Sequence, residues 1–319
     1  MKVGTDFSGL GSPEMALDRI GIIYDLIFAS EIDKFARRSY NALHNPKTFY
    51  NDIRSRDHKE VPQLDLYVAG FPCQSFSQAG LRRVDDARGT LFYDVADFIR
   101  VNQPHVFLLE NVIGLIQHDN GRVFQAIKDI LSNGGGTING QIGMDTIEDG
   151  LGYHIYYKVL NSKDYNIPQN RERVFIIGFK RFKEFRFPKP IQLSKFFEDV
   201  LEDSVDAKYN ISEKLLKWMY KHKEKRGSNK ANLPTKKISH CIPAVYGRMG
   251  ADHPYTDKGG SMRRLTPLEA WRLQGFEDSE FYKVRKTNSD SQLYKQIGNS
   301  ITCDVLIAIF KKIYHDKKL

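Results

Sequence analysis

Short apolar runs alternate with stretches of helical periodicity through the first half of the chain. Residues 2–5, 26–31, 64–69 and 105–110 form brief, mostly apolar runs, which predicts strands buried within a sheet. Between them, residues 12–20, 34–43, 91–102 and 122–131 space their apolar side chains at helical intervals. Two further strands are expected at 153–160 and 174–178. Strands separated by helices join through crossovers rather than hairpins, and crossovers return the chain parallel to the preceding strand. The expected fold class is therefore α/β, a doubly wound and mostly parallel sheet.

The pattern breaks twice. Residues 133–152, NGGGTINGQIGMDTIEDGLG, are Gly-rich and weakly patterned, and read as a surface insertion. The alternation then stops after the prolines at 188 and 190. Residues 190–262 hold one basic helix, 212–225, followed by Lys- and Asn-rich loop material, and helical periodicity resumes over 264–319. A smaller module at 190–262 is thus expected between the two parts of a larger domain, 1–189 and 263–319.

Charge sharpens this division. Lys plus Arg number 48 against 39 Asp plus Glu, a net +9 that favours an anionic partner. Residues 214–237 alone carry nine Lys or Arg and a single acid, Glu224. A charge run is most often a solvated helix face, but its concentration where the fold pattern breaks favours contact with nucleic acid. At 319 residues the chain can bury a sizeable core. No apolar run approaches the ~20 residues of a membrane span, and the N-terminus enters a strand-like segment at once, without a signal-peptide pattern. No membrane partner is expected, and a cytoplasmic location is. Cys73, Cys241 and Cys303 form no CxxC pair, which argues against a disulfide framework or a zinc site and fits a reducing compartment.

Candidate chemistry begins in the first strand–helix connection, VGTDFSGLGSPEMAL. Gly9 and Gly11 permit a tight turn and close approach of a ligand to the backbone, and Ser12 is expected to cap a helix with Pro13 at its first position. The stretch is neither GxGxxG nor GK[ST], so a phosphate loop fits poorly. Glu31 ends the second strand about 20 residues past the glycines, where a carboxylate can bind both ribose hydroxyls of a nucleoside. Asp52, in FYNDI, lies where a third strand would end and could accept from an adenine amine. Each acid alone would pass for a surface carboxylate or a helix cap. With the glycines they describe a nucleoside site at the carboxyl edge of a sheet, open to a nicotinamide or an adenosyl cofactor.

Three more motifs follow. In GFPCQSFSQAG, Cys73 stands after a buried strand and Pro72, at the start of a turn, a setting that raises thiolate character. Most free cysteines are inert core residues, and Cys241 and Cys303 have that look. HVFLLENV ends an apolar strand in Glu110 and Asn111, where desolvation would raise the carboxyl pKa. IPQNRERVFIIGF sets Arg171 and Arg173 on one face of an extended segment, suited to a carbonyl, a phosphate or a carboxylate, or simply to an edge-strand salt bridge.

Taken in order, the Gly-rich turn, Glu31, Asp52, GFPCQ, ENV, QNRER, RRLTPLEAWRLQGF and QIGNSITCDVL closely resemble the cytosine-C5 DNA methyltransferase family, from residue 2 to about 310. The resemblance is weakest in the Gly-rich insertion and the basic segment. It implies a Rossmann-like, S-adenosylmethionine-dependent fold whose C-terminal helix returns beside the first strand, with a target-recognition domain at 190–262. It implies a bacterial modification-type DNA (cytosine-5-)-methyltransferase, acting as the modification enzyme of a restriction-modification system or as an orphan methylase, with S-adenosyl-L-methionine as methyl donor, S-adenosyl-L-homocysteine as product, and no metal. Cys73 would add to C6 of a flipped-out cytosine, Glu110 would protonate N3 and contact the exocyclic amine, Arg173 would hold O2, and Arg171 would support the loop or the phosphate. Phe7, Gly9, Leu10 and Gly11 would surround the cofactor, Glu31 and Ile32 the ribose and base edge, Asp52 and Ile53 the adenine, and Asn299 and Ser300 the methionine end. Gln74 and Ser77 would close over the flipped nucleotide, while Tyr246, Arg248 and His253 would reach the DNA. Double-stranded DNA is the implied partner, a cognate restriction endonuclease a functional one, and a monomer the expected state.

There are departures from the family pattern. Thr5-Asp6-Phe7 replaces the usual acid-Leu-Phe, Ser12 stands where glycine is common, and Ala79 where some relatives carry a hydroxyl. None touches the covalent chemistry. The tRNA-directed branch of the family typically carries Cys-Phe-Thr in its recognition region, whereas Cys241 here precedes Ile-Pro. A catalytically silent DNA-binding regulator would not need Cys73, Glu110 and Arg173 together, and a nicotinamide-dependent oxidoreductase would leave Pro-Cys-Gln and Glu-Asn-Val unexplained.

Overall fold

A computed structural model describes residues 1–72, 91–132, 150–225, 237–247 and 253–314. The strands of the first half are β1 (Lys2–Asp6), β2 (Asp25–Ser30), β3 (Thr48–Tyr50), β4 (Leu66–Ala69), β5 (Val106–Val112) and β6 (His154–Asn161). After these come β7 (Gln169–Asn170), β8 (Glu172–Phe179), β9 (Ser239–His240), β10 (Tyr255–Thr256) and β11 (Arg263–Arg264). The helices are α1 (Ser12–Arg19), α2 (Lys34–Leu43), α3 (Leu91–Asn102), α4 (Gly114–Gln117), α5 (Arg122–Leu131), α6 (Glu213–Lys225), α7 (Pro267–Arg272), α8 (Asp278–Arg285), α9 (Asp290–Asn299) and α10 (Cys303–Tyr314). The strands and helices expected from the apolar pattern form with ends shifted by at most two residues.

Among the described residues, seven strands make one sheet in the order β3-β2-β1-β4-β5-β8-β6. The first five run parallel, and β8 is antiparallel to both β5 and β6. Both faces are covered, which is why the central strands read as apolar throughout rather than alternating with polar residues. Leu66, Val68, Leu108, Phe175 and Ile177 point into the layer that holds α1 and α10. Their neighbours Tyr67, Ala69, Phe107, Leu109, Val174 and Ile176 point into the layer that holds α3 and α5.

The winding reverses between β1 and β4: β2 and β3 lie to one side, β4 and β5 to the other. Such a reversal opens a crevice beyond the carboxyl ends of the two strands. The Gly-rich turn leaves β1 there, and Gly70-Phe71-Pro72 leaves β4. Helix α10 shares the first core with β1 and α1, through Val305, Leu306, Ile309 and Phe310 against Val3 and Leu17. That packing carries Asn299 and Ser300 back to the crevice.

The segment Arg263–Arg272 is tied by one buried acid. Glu269 accepts from Thr266 N (2.8 Å), Thr266 Oγ1 accepts from Glu269 N (3.1 Å), and Arg263 donates both ends of its fork to Glu269 at 2.8 and 2.7 Å. Parts of the basic segment also join this core: Phe197, Val200, Leu201, Ile242 and Tyr246 pack with Leu265 and Trp271.

One local expectation is corrected. Ser12 does not cap α1; it is the first helical residue, and Gly11 occupies the cap position with φ 80°, without a side-chain bond. A Cβ on Gly11 would lie 2.2 Å from His44 Nε2, so close packing of α2 against the turn, together with the left-handed backbone, requires glycine.

Candidate active site

Glu110 lies near the carboxyl end of β5 and Arg173 near the start of β8. In the antiparallel register Glu110 faces Phe175, so Arg173 is its diagonal neighbour on the same face. The Arg173 Nε to Glu110 Oε1 distance is 3.1 Å, with the two side chains 17% and 11% exposed. Burial pushes the Glu110 pKa up, while the guanidiniums of Arg173 and Arg171 pull it down; burial prevails. The result is a carboxyl group that holds a proton more readily than in water, beside a fixed cation.

Asn111, the next residue, anchors a different segment. Its Nδ2 donates to Phe71 O at 2.9 Å, and its Oδ1 accepts from Val112 N at 2.8 Å. Phe71 stands two residues before Cys73, so the ENV motif fixes the chain where it approaches that cysteine. In the sequence Asn111 is marked only as the end of a strand. The available signal was a polar residue in a strand covered on both faces, which must find backbone partners. Cys73, Gln74 and Ser77 themselves lie outside the described residues, as does Arg248.

Arg171 is only 2% exposed. Its Nη1 donates to Ile242 O (3.2 Å) and Cys241 Sγ (3.3 Å), and its Nη2 to Gly298 O (2.9 Å) and Ser300 O (2.7 Å). Burial lowers its pKa, yet a guanidinium stays charged. In the structure the fork is taken up by three main-chain carbonyls and the Cys241 sulfur. It joins the QIGNS loop to the start of the segment after β9. Gly298 tightens the same junction, since a Cβ there would lie 2.3 Å from Ala244 N. Arg171→Met should strand these buried carbonyls and lower stability by roughly 3 kcal/mol, given about 1–3 kcal/mol for each unsatisfied group. Urea denaturation measures it; an unchanged midpoint would mean the fork is dispensable.

The cofactor candidates fall into two sets. Phe7, Gly9, Leu10, Asn299, Ser300 and Glu110 line one cleft, together with Asp6 and Gly70. Phe7 holds a left-handed backbone at φ 55°, unusual for a bulky residue, and Gly9 follows at the same angle. Asn299 is exposed at the cleft, whereas Ser300 Oγ donates to Gln296 O at 2.8 Å. Glu31 joins from beside the cleft: its Oε2 accepts from Gly9 N (3.0 Å) and its Oε1 from Asp33 N (2.8 Å). Burial raises the Glu31 pKa against the pull of these N–H groups. Ile32 is exposed, Ile53 is buried, and Asp52 caps a single 3₁₀ turn, Ile53–Ser55, by accepting from Arg54 N at 3.0 Å. These four residues and Gly11 are not part of the cleft wall.

Tyr246 requires a correction. It is 2% exposed; its hydroxyl donates to Pro254 O and accepts from Leu265 N, each at 2.8 Å. Its ring packs against Tyr294 and His253. Tyr246 therefore braces the segment from within and does not reach DNA. The phenol is large and apolar enough for the core, and its hydroxyl finds two backbone partners there.

A doubly wound sheet with a Gly-rich turn after β1, an acid after β2 and a carboxyl–guanidinium pair at the carboxyl edge is a Rossmann-like arrangement suited to a nucleoside cofactor. The chain belongs to the C-5 cytosine-specific DNA methylase family, which it matches over residues 1–315. It is 38% identical to the Type II methyltransferase M.SsoII of Shigella sonnei over 96% of this chain and 78% of that protein. It is 37% identical to M.HpaII of Haemophilus parainfluenzae, over 96% and 87%. Its fold is similar to that of the S. pombe Dnmt2 methyltransferase, with a TM-score of 0.77, 20% identity and full coverage of both chains. The Entamoeba histolytica methyltransferase EhMeth is similar at TM-score 0.67 and 19% identity, covering 100% and 99%.

Proposed function

We propose that this methyltransferase modifies C5 of a cytosine flipped out of double-stranded DNA, by way of a covalent bond between Cys73 and C6. The observation that carries the reading is the pairing of buried Glu110 with half-buried Arg173 at 3.1 Å, at the cleft and one residue from the Asn111 bond that fixes the approach to Cys73. C5 of cytosine is a weak nucleophile. Addition of the Cys73 thiolate to C6 places electron density on the ring, Glu110 delivers a proton to N3, and the ring then carries an enamine-type C5. Arg173 holds O2. S-adenosyl-L-methionine, when bound, supplies the electrophilic methyl group. Loss of the C5 proton and departure of Cys73 restore the aromatic ring, and the base is reached only outside the stack.

The residues fit that cofactor. Gly9 leaves room against the backbone at the turn, Glu31 presents a half-buried carboxyl group just past β2, and Asn299 faces the cleft. Phe7, Leu10, Ile32 and Ile53 supply apolar contacts, Asp52 an acceptor for adenine, and Ser300 the wall at the methionine end. Residues 190–262 form the recognition domain between the two parts of the catalytic domain, with Arg248 at the DNA and Gln74 and Ser77 closing over the flipped base. The names of the Type II relatives support a modification role alongside a restriction endonuclease. Incubation with labelled S-adenosylmethionine and either DNA or tRNA tests the substrate. Label is expected in DNA, and label in tRNA alone would overturn the reading.

A further inference from the structure

Behind the cleft lies a buried charge cluster that the chemistry above leaves unused. Arg56 Nη1 and Nη2 donate to Asp6 Oδ1 and Oδ2 at 2.9 and 2.8 Å, and Tyr67 OH donates to Asp6 Oδ2 at 2.6 Å. Both charged side chains are 0% exposed. The guanidinium sits between the rings of Phe28 and Phe98, 4.1 and 4.2 Å from their centroids. An ion pair this deep adds little stability over well-packed apolar residues. What a bidentate pair adds is geometry, because two parallel bonds fix both distance and orientation.

The pair joins two separate stretches of the cofactor region. Asp6 ends β1, lines the cleft and precedes Phe7. Arg56 closes the 3₁₀ turn Ile53–Ser55, which Asp52 opens. That turn follows β3, two strands away from β1 in the sheet. The Arg56–Asp6 bond passes over the β2 residue Phe28 and ties the end of the Asp52–Ile53 turn to the residue that precedes Phe7.

We propose that Asp6, Arg56 and Tyr67 are positioning residues that hold the Asp52–Ile53 turn at the distance the adenine of the cofactor requires. This rests on the proposed S-adenosylmethionine site. Arg56 does not touch the cofactor; it acts through the turn. Its loss should weaken cofactor binding and blur recognition of the adenine amine, and leave the rate at saturating cofactor nearly intact.

The test uses the full chain with Arg56→Lys and Tyr67→Phe. Calorimetry gives Kd for S-adenosyl-L-homocysteine and for S-inosyl-L-homocysteine, which lacks the amine, and kinetics separate KM from kcat. Arg56→Lys should raise Kd and KM at least about tenfold, Tyr67→Phe about threefold, with kcat changed less than about twofold, as expected for lost charge-assisted bonds that act before the chemistry. The preference for the adenosyl over the inosyl compound should narrow in both variants. A merely structural role would leave that preference at its native value. Folded variants with native Kd and native preference overturn the proposal. If Arg56→Lys does not fold, Tyr67→Phe decides alone. Failure of the native protein to bind S-adenosylhomocysteine would instead overturn the cofactor reading itself.

Discussion

Cys73→Ser should slow methyl transfer at least about 10³-fold and leave binding of DNA and S-adenosylhomocysteine unchanged. A serine hydroxyl is almost never ionised near neutrality, so it cannot add to C6, and without that addition C5 has no electron density to share. On the proposed reading, binding draws on other groups: Glu31 and the Gly-rich turn for the cofactor, and residues 190–262 for DNA. Transfer of labelled methyl groups in a single turnover measures the first part, and calorimetry the second. Activity within about tenfold of native would remove Cys73 from the mechanism.

Glu110→Gln should lower kcat about 10²- to 10³-fold and change the shape of the pH profile. The amide matches the carboxyl group in size but cannot give a proton to N3, and it leaves Arg173 without its anion. Burial raises the Glu110 pKa, so the protonated donor persists toward neutral pH and is lost as pH rises through that raised value. A nucleophilic Cys73 works in the opposite sense, since its thiolate is lost as pH falls. The native rate should therefore rise and then fall with pH. The falling alkaline limb should vanish in Glu110→Gln, because the amide does not titrate. A variant that kept the alkaline limb would show that another group donates the proton.

Much of this site follows from local rules. Strands buried on both faces and helices with one apolar face leave periodic signatures, so the sheet and the positions of Glu31, Asp52 and Glu110 at strand ends could be read directly. Glu110 next to Arg173 could be anticipated less well, because their contact depends on the antiparallel pairing of β5 with β8. The polar partners of buried groups were hidden. Arg171 and the carbonyl of Ser300 are 129 positions apart, and Arg56 and Asp6 are 50 apart. Nothing local in QNRER or NDIRSR announces such a partner. Ser12 and Tyr246 mislead for a related reason: a good capping residue lost its place to Gly11, where α2 packs too closely for any side chain, and a tyrosine suited to DNA found two backbone partners inside the core.

The covalent step is the centre of this account, and 5-fluorocytosine tests it most directly. With the recognition sequence established by bisulfite sequencing of DNA the protein has methylated, a duplex carrying 5-fluorocytosine at the target base is incubated with enzyme and S-adenosylmethionine. Fluorine cannot leave C5 as a proton does, so Cys73 should remain bonded to C6. The predicted result is a complex that survives denaturation, has the summed mass of protein and methylated duplex, and is absent with Cys73→Ser. Methylation of the ordinary duplex with no trapped complex on the fluorinated one would contradict the account.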